Sequence, residues 1–425
     1  MSILIIFIFI IGYACIILEE WLTLDKTVPA LIMGVLCWAG IAVMGEGNGF
    51  NTALSHHISG ISEVLLFLLG AMTIVELIDL HNGFDLIRQR ITTTNTTRLL
   101  WIIAILSFVL SGILDNLTTA IVMVSILRKM IPNEDHRRYL AGIVIISANA
   151  GGAWSPMGDV TTTMLWMDDR VTALGLMLHG FLPALTAMVV PVFFANFSLR
   201  KQTILCDDSS EPDYDEDEKP QRIYGSKVIL AVGLGALLFV PIFKLITGLP
   251  PYMGMLLGLG GCWLIGEILD TNREHDDRNR YTVHRALQRI EISSILFFCG
   301  ILLAVAALEY TEILTKTADL ITKTLPNMSV SIFLIGLLSA VVDNVPLVAA
   351  VMGAFPIEQY ETDHHIWQFL AYTAGTGGSL LIIGSAAGVA VMSTERITFG
   401  WYVRNITGLA ALGYGAGAIV FILLQ

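Results

Sequence analysis

Ser111–Val122 reads SGILDNLTTAIV and Ser339–Ala350 reads SAVVDNVPLVAA, so the same Asp-Asn pair splits two apolar stretches 228 residues apart. The stretches run over 99–127 and 329–355. A bilayer crossing takes roughly 20 residues, which makes each stretch long for one crossing and short for two. A helical hairpin that dips into the membrane and returns to the same side accounts for both the length and the central polar turn. The same offset places Glu63 over Glu291. A second pair, GGAWSPMGDVTT from Gly151 and GGSLLIIGSAAG from Gly377, aligns at an offset of 226 and superposes Gly151, Gly152 and Gly158 on Gly377, Gly378 and Gly384.

Outward from these motifs, apolar windows predict crossings over 3–19, 28–44, 61–80, 139–167 and 172–198, then 226–247, 252–269, 291–310, 366–393 and 401–424. Each half then has five crossings and one hairpin. Five is odd, so the second half enters the membrane upside down relative to the first, an inverted-topology repeat of the kind secondary transporters use. The expected architecture is an all-α polytopic membrane protein. Its first half is 1–198, with hairpin 99–127 and broken helix 139–167; its second is 226–425, with hairpin 329–355 and broken helix 366–393. An acidic linker, 199–225, joins them.

Composition agrees. Of 425 residues, 55% are hydrophobic and 14% charged, against roughly 25% charged in soluble domains. Residues 1–18 and 27–45 carry no charge at all. This excludes most soluble enzymes, and a net charge of -12 argues against nucleic acid as a partner. Cys15, Cys37, Cys206, Cys262 and Cys299 show no paired spacing and read as packing residues. The N-terminus is apolar from its third residue without a basic region, and reads as a first crossing rather than a cleaved signal.

Basic residues set the orientation. Arg88, Arg90 and Arg98 precede the first hairpin and Arg128, Lys129, Arg137 and Arg138 follow it, so both its flanks read as cytoplasmic. The second hairpin is flanked by Lys316 and Lys323 and by the acidic loop Glu358–His365, and reads as periplasmic. Carried through ten crossings, this leaves only Arg170, Lys244, Lys316 and Lys323 of the 24 Lys and Arg outside the cytoplasm, with both termini periplasmic. The linker holds eight acidic residues between Asp207 and Glu218 and reads as solvated chain. It imitates an EF-hand only at its start, since Glu218 stands where the glycine belongs. The Arg-rich loop Arg273–Arg289 fits against this linker or anionic headgroups.

A carboxylate at bilayer depth costs roughly 2.5–3.5 kcal/mol on insertion scales and is a functional candidate by default. Three qualify: Asp115 and Asp343 at the hairpin tips, and Asp159 in the stretch broken by Pro156 and its glycines. Either tip residue also serves to cap the returning half-helix. Asn116, Asn344, Asn149, Thr161, Thr162, Ser379 and Ser385 offer neutral oxygens, and carbonyls freed at the breaks are expected to face a cavity. Ser111 and Ser339 align one turn before each Asp and fit packing equally well. Glu63 and Glu291 read as residues at helix starts. His56, His57, His364 and His365 fall in predicted periplasmic loops. Carboxylates at both tips would repel an anion, so the sites suit a small hard cation or a proton. Desolvation favours the protonated carboxyl and a bound cation the ionised one, which gives exchange by competition.

At these residues the chain resembles the NhaD-type sodium/proton antiporters of the ion transporter superfamily, over nearly its whole length. The most specific parts are SGILDNLTTA, SANAGGAWSPMGDVTT and SAVVDNVPLVAA. Related anion carriers of that superfamily have Ser-Asn-Thr at the tips, where Asp115 and Asp343 stand here. The resemblance implies exchange of Na+ or Li+ for H+ across a bacterial inner membrane by a homodimer, with no cofactor and no enzymatic activity. It carries the site onto Asp115, Asn116, Asn149, Asp159, Thr161, Thr162, Asp343 and Asn344, and less securely Ser379 and Ser385, with Na+ at the three aspartates. The rivals are a sodium-coupled dicarboxylate or arsenite carrier, a passive channel, and an intramembrane aspartyl protease. The last lacks its Gly-x-Gly-Asp signature, because Pro156 stands at the first glycine.

Overall fold

The computed structural model describes residues 2–17, 24–44, 50–85, 95–199, 225–270, 282–290, 292–314, 316, 327–341 and 344–425. Among them the helices, in chain order, are α1 (Ser2–Ile17), α2 (Thr27–Val43), α3 (Phe50–Leu80), α4 (Thr96–Leu114), α5 (Asn116–Met130), α6 (Glu134–Gly152), α7 (Val160–Met167), α8 (Ala173–Leu199) and α9 (Ser226–Thr247). They continue with α10 (Pro251–Asp270), α11 (Val283–Arg289), α12 (Ile292–Tyr310), α13 (Met328–Leu338), α14 (Asn344–Ala354), α15 (His365–Gly377), α16 (Ala386–Glu395), α17 (Phe399–Asn405) and α18 (Thr407–Leu423). Among the described residues, six helices are long and apolar enough to cross a membrane, and α17 with α18 forms a further bent pair at 55°. Exposed apolar side chains such as Leu245, Ile246, Leu264 and Ile419 lie on the outside of the bundle, where lipid replaces water. The chain is a polytopic membrane protein whose described residues form helices and their connections, with no strand among them.

Both Asp-Asn stretches are broken where the sequence predicts. Asp115 separates α4 from α5, and Asn344 begins α14, although Val342 and Asp343 themselves lie outside the described residues, as do 200–224 and Glu291. At 19 residues α4 is by length alone sufficient to cross. It nevertheless packs along α5. The predicted crossings 139–167 and 366–393 are each two helices, α6 with α7 and α15 with α16, interrupted at 153–159 and 378–385. One boundary differs substantially: α3 starts at Phe50, eleven residues before the predicted crossing, so His56 and His57 lie on a helix and not in a loop. Polar residues there left the hydropathy signal weak while the helix itself continued.

Helix contacts recur in pairs. α4 packs on α6 as α13 packs on α15, and α5 meets α16 as α14 meets α7. α1 lies on α2 as α9 lies on α10, and α2 packs on α12 as α10 packs on α3. Individual atoms repeat this pattern at the offsets seen in the sequence. Ser111 Oγ donates to Ala148 O at 2.6 Å and Ser339 Oγ to Ala374 O at 2.7 Å. Each serine therefore pins the helix before an Asp-Asn pair, α4 or α13, to its neighbour α6 or α15.

The same contacts explain two glycines. A Cβ on Gly151 would collide with the Phe108 backbone, and one on Gly377 with the Gly336 carbonyl oxygen. Gly151→Ala and Gly377→Ala should each lower stability by about 1–3 kcal/mol, the usual cost of overpacking, and thermal unfolding in detergent will measure it. Gly408→Ala, which meets only open space, should be neutral or stabilising.

Candidate functional site

Four helix N-termini converge near the middle of the bundle. Asn116 begins α5, Asp159 caps α7, Asn344 begins α14, and Ser385 caps α16. A helix interrupted inside a membrane leaves backbone N–H groups without intrahelical partners, so polar caps are required there. Asp159 accepts from Thr161 N at 3.0 Å, while Thr162 Oγ1 accepts from Asp159 N at 3.2 Å, a reciprocal capping box. Ser385 accepts from Gly388 N at 3.2 Å.

Asp159 is the centre of the cluster and is 2% exposed. Asn116 Nδ2 donates to its Oδ2 at 2.7 Å, and Asn344 Nδ2 donates to Oδ2 at 3.0 Å and to Oδ1 at 3.3 Å. One carboxylate thus joins the first residues of α5 and α14, 185 residues away in the case of Asn344. Asn149 forms the next link. Its Oδ1 accepts from Asn116 at 3.1 Å, and its Nδ2 donates to Ser379 Oγ and Ser385 Oγ, both at 2.9 Å. Asn116, Asn149, Asp159, Asn344, Ser379 and Ser385, all candidates from the sequence, are therefore brought into one connected network.

The Asp115 side chain hydrogen-bonds to Thr118 instead. Its Oδ1 accepts from Thr118 N at 2.7 Å and its Oδ2 from Thr118 Oγ1 at 2.8 Å. Capping is therefore one of its roles, and Thr118 is a partner that the Asp-x-x-Thr spacing made legible. Its backbone has φ 105° and ψ 162°, a conformation that normally favours glycine. Strain held at a charged tip residue marks a constrained site. Asp115 and Asp159 both line a cavity of about 40 Å³, closed by Asn116, Thr118, Asn344 and, from α3 and α12, Leu68, Met72, Ser294 and Phe298. Ser294 had no signal in the sequence. Among the described lining residues the only charged side chains are the two carboxylates.

The threonines divide. Thr161 Oγ1 is buried with no hydrogen-bond partner among the described residues, beside Asp159. Thr162 Oγ1 instead donates to Asp159 O at 2.9 Å, and Thr163 Oγ1 to Pro156 O at 2.9 Å. The carbonyls expected to face a cavity at this break are in part recaptured by hydroxyls one turn on, which is the cheaper way to satisfy them in a dry interior.

Beyond the cavity lies a larger cleft of about 410 Å³, bordered by His56, His57, Glu63, Asp168, Arg170 and Glu309. Glu63 sits well inside α3, not at a helix start, and faces this space. The separation between cleft and cavity is thin. Val64, Met164, Leu302 and Ala349 line the cleft. Leu68, Val160, Phe298 and Val345, each four residues away on the same helix, line the cavity. Four residues of helix rise about 6 Å. A single turn contributed by α3, α7, α12 and α14, apolar except for Thr161–Thr163 on α7, therefore divides the two spaces.

The chain matches the family described as citrate transporter over residues 13–375. It is 44% identical to sodium/proton antiporter 1 of Arabidopsis thaliana over 413 residues, covering 97% of this chain and 70% of that protein. Sodium/proton antiporter 2 of the same plant is 42% identical, with 97% of each chain covered. The Na+/H+ antiporter NhaD of Vibrio cholerae is 32% identical over 98% of this chain and 91% of its own length.

Proposed function

Because the chain belongs to the NhaD-type sodium/proton antiporters, within the citrate transporter family, we propose that it exchanges Na+, and Li+ as a second cation, for H+ by alternating access. The observation that carries this reading is the buried Asp159 carboxylate held between the amides of both hairpin tips. Protons and cations compete for that carboxylate and for Asp115 and Asp343. With Na+ bound, Asn116 and Asn344 turn their amide oxygens towards the ion, and Thr161 Oγ1 adds a further oxygen donor, a coordination set suited to a small hard cation. When the cation leaves, a proton neutralises the buried charge and the amides return to Asp159.

Residues 1–198 and 226–425 are read as inverted halves, supported by contacts that recur at offsets of 226 and 228 residues. The assembly is read as a homodimer in a bacterial inner membrane with both termini periplasmic. On that topology the 410 Å³ cleft faces the periplasm, and its one-turn floor is what a cation must pass. A citrate-like anion is the second reading, favoured by the family's description. A 40 Å³ cavity whose charged lining consists of two carboxylates opposes it on size and on sign.

In everted vesicles carrying the protein, NaCl or LiCl should dequench a pH-sensitive dye, and salt-driven flux without proton movement would instead indicate a channel. Glu309 supplies a smaller effect. Its negative charge in the cleft concentrates cations, so Glu309→Gln should raise the apparent KM for Na+ by about threefold at low ionic strength, and choline chloride should erase the difference by screening.

A further inference from the structure

Two ionic clusters outside the site lie at the far ends of the helices that build it. The first centres on Arg170, just beyond α7. Its Nη1 donates to Phe355 O at 2.7 Å and its Nη2 to Met352 O at 3.3 Å, at the C-terminal end of α14. Asp168 holds the guanidinium through Nε at 2.8 Å, and the Trp367 indole of α15 lies 4.7 Å beneath it. α7 and α14 are the helices whose other ends carry Asp159 and Asn344.

The second cluster centres on Glu395, the last residue of α16, whose carboxylate is fully buried. Oε1 accepts from Arg128 Nε at 2.8 Å and Oε2 from Arg137 Nε at 2.6 Å. Arg138 Nε reaches the Glu395 carbonyl at 3.3 Å, and Arg128 Nη2 bonds the Thr394 carbonyl. Arg128 belongs to the last turns of α5. α5 and α16 are the helices whose other ends carry Asn116 and Ser385. An acidic side chain at a helix C-terminus opposes the helix dipole, so Glu395 is not there to stabilise α16 alone.

In both clusters a return limb of one hairpin is tied to a broken-helix limb from the other half of the chain. From these paired ties we infer that Arg170 and Glu395 are positioning residues. Each latches two helices at their far ends and thereby sets the spacing of the site residues at their near ends. A carboxylate bonded by two amides tolerates little change in spacing, because small displacements in a site remote from the mutation are enough to cost about tenfold or more. The inference deepens the cation reading and rests on it for its transport consequence.

The test uses full-length protein with Arg170→Lys, which keeps the charge but loses the fork, and Glu395→Gln. Normalised to folded protein, both should raise the apparent KM for Na+ by about tenfold while changing the maximal rate by less than about threefold. A purely structural role would lower the folded amount and leave KM alone, and that result overturns the inference. Should either variant fail to fold, Asp168→Asn and Arg128→Lys, at side chains 55% and 50% exposed, are to be measured for the same KM shift, the former in choline chloride so that the lost cleft charge is screened.

Hydrogen exchange on the purified protein supplies a readout independent of transport. Arg170→Lys should speed exchange along α7 and α14 to their site ends, and Glu395→Gln along α5 and α16. Faster exchange confined to the mutated loop would overturn the latch. Wild-type protein that shows this exchange pattern in its variants but moves no protons in response to Na+ would refute the cation reading and leave the latch standing.

Discussion

Asp159→Asn should abolish cation-dependent proton exchange in a protein that still folds. The substitution keeps an oxygen able to accept from Thr161 N and so preserves the cap on α7. It removes the charge at the point where Asn116 and Asn344 converge. A contact to a charged group is worth roughly 1.5–3 kcal/mol, so losing the charge-assisted contact to the ion weakens cation binding by about 10- to 150-fold. Folding should survive because Asn116 and Asn344 turn their amide oxygens to meet the new amide. Wild-type protein should also show an apparent KM for Na+ that rises as pH falls, approaching about tenfold per pH unit once the proton dominates the carboxylate. Residual activity in Asp159→Asn should have lost that slope. The measurement is dye dequenching in everted vesicles over a pH series, and a variant with the wild-type sodium response and slope would remove Asp159 from the site.

Asp115 separates capping from charge more sharply. Asn caps a helix as well as Asp does, so Asp115→Asn should leave α5 intact and still reduce exchange by at least about tenfold, the consequence of withdrawing one of two carboxylates from the cavity. Asp115→Gly adds a second sign. Glycine adopts φ 105° freely, and the strain relieved is on the order of 1–3 kcal/mol, while replacing a cap by glycine costs only a few tenths. That variant should melt no lower than wild type, and higher if the strain is large, yet transport poorly. Greater stability with less activity is what a strained functional residue predicts. Unchanged sodium and lithium responses in Asp115→Asn and Asp343→Asn together would confine the tip residues to capping.

Much of this was legible in the chain because it is local. Charge scarcity and apolar length identify a membrane protein, since every buried backbone group and every buried charge carries a cost in hydrocarbon that composition must respect. The breaks at Asp115, at 153–159 and at 378–385 follow from Pro156, from clustered glycines and from a polar pair in the middle of apolar sequence. The repeated offset exposed which residues correspond. Ser111 and Ser339, undecided between packing and function from sequence, prove to be packing residues by their bonds to Ala148 and Ala374.

Partner choice is another matter. No feature of the sequence says that Asn149 reaches Ser379 and Ser385, that Asn344 reaches Asp159, or that Ser294 closes the cavity. Arg170 reads from the sequence only as an exception to charge asymmetry and Glu395 gives no signal at all, while packing places each against carbonyls or arginines from the other half. A periodic apolar pattern fixes which face of a helix is buried. It leaves open which helix ends meet, because a hydrogen bond depends on position to a few tenths of an ångström. The sequence by itself determined the class, the breaks and the carboxylates to be weighed; the tertiary structure decided which side chains meet at Asp159, and which distant ones hold them there.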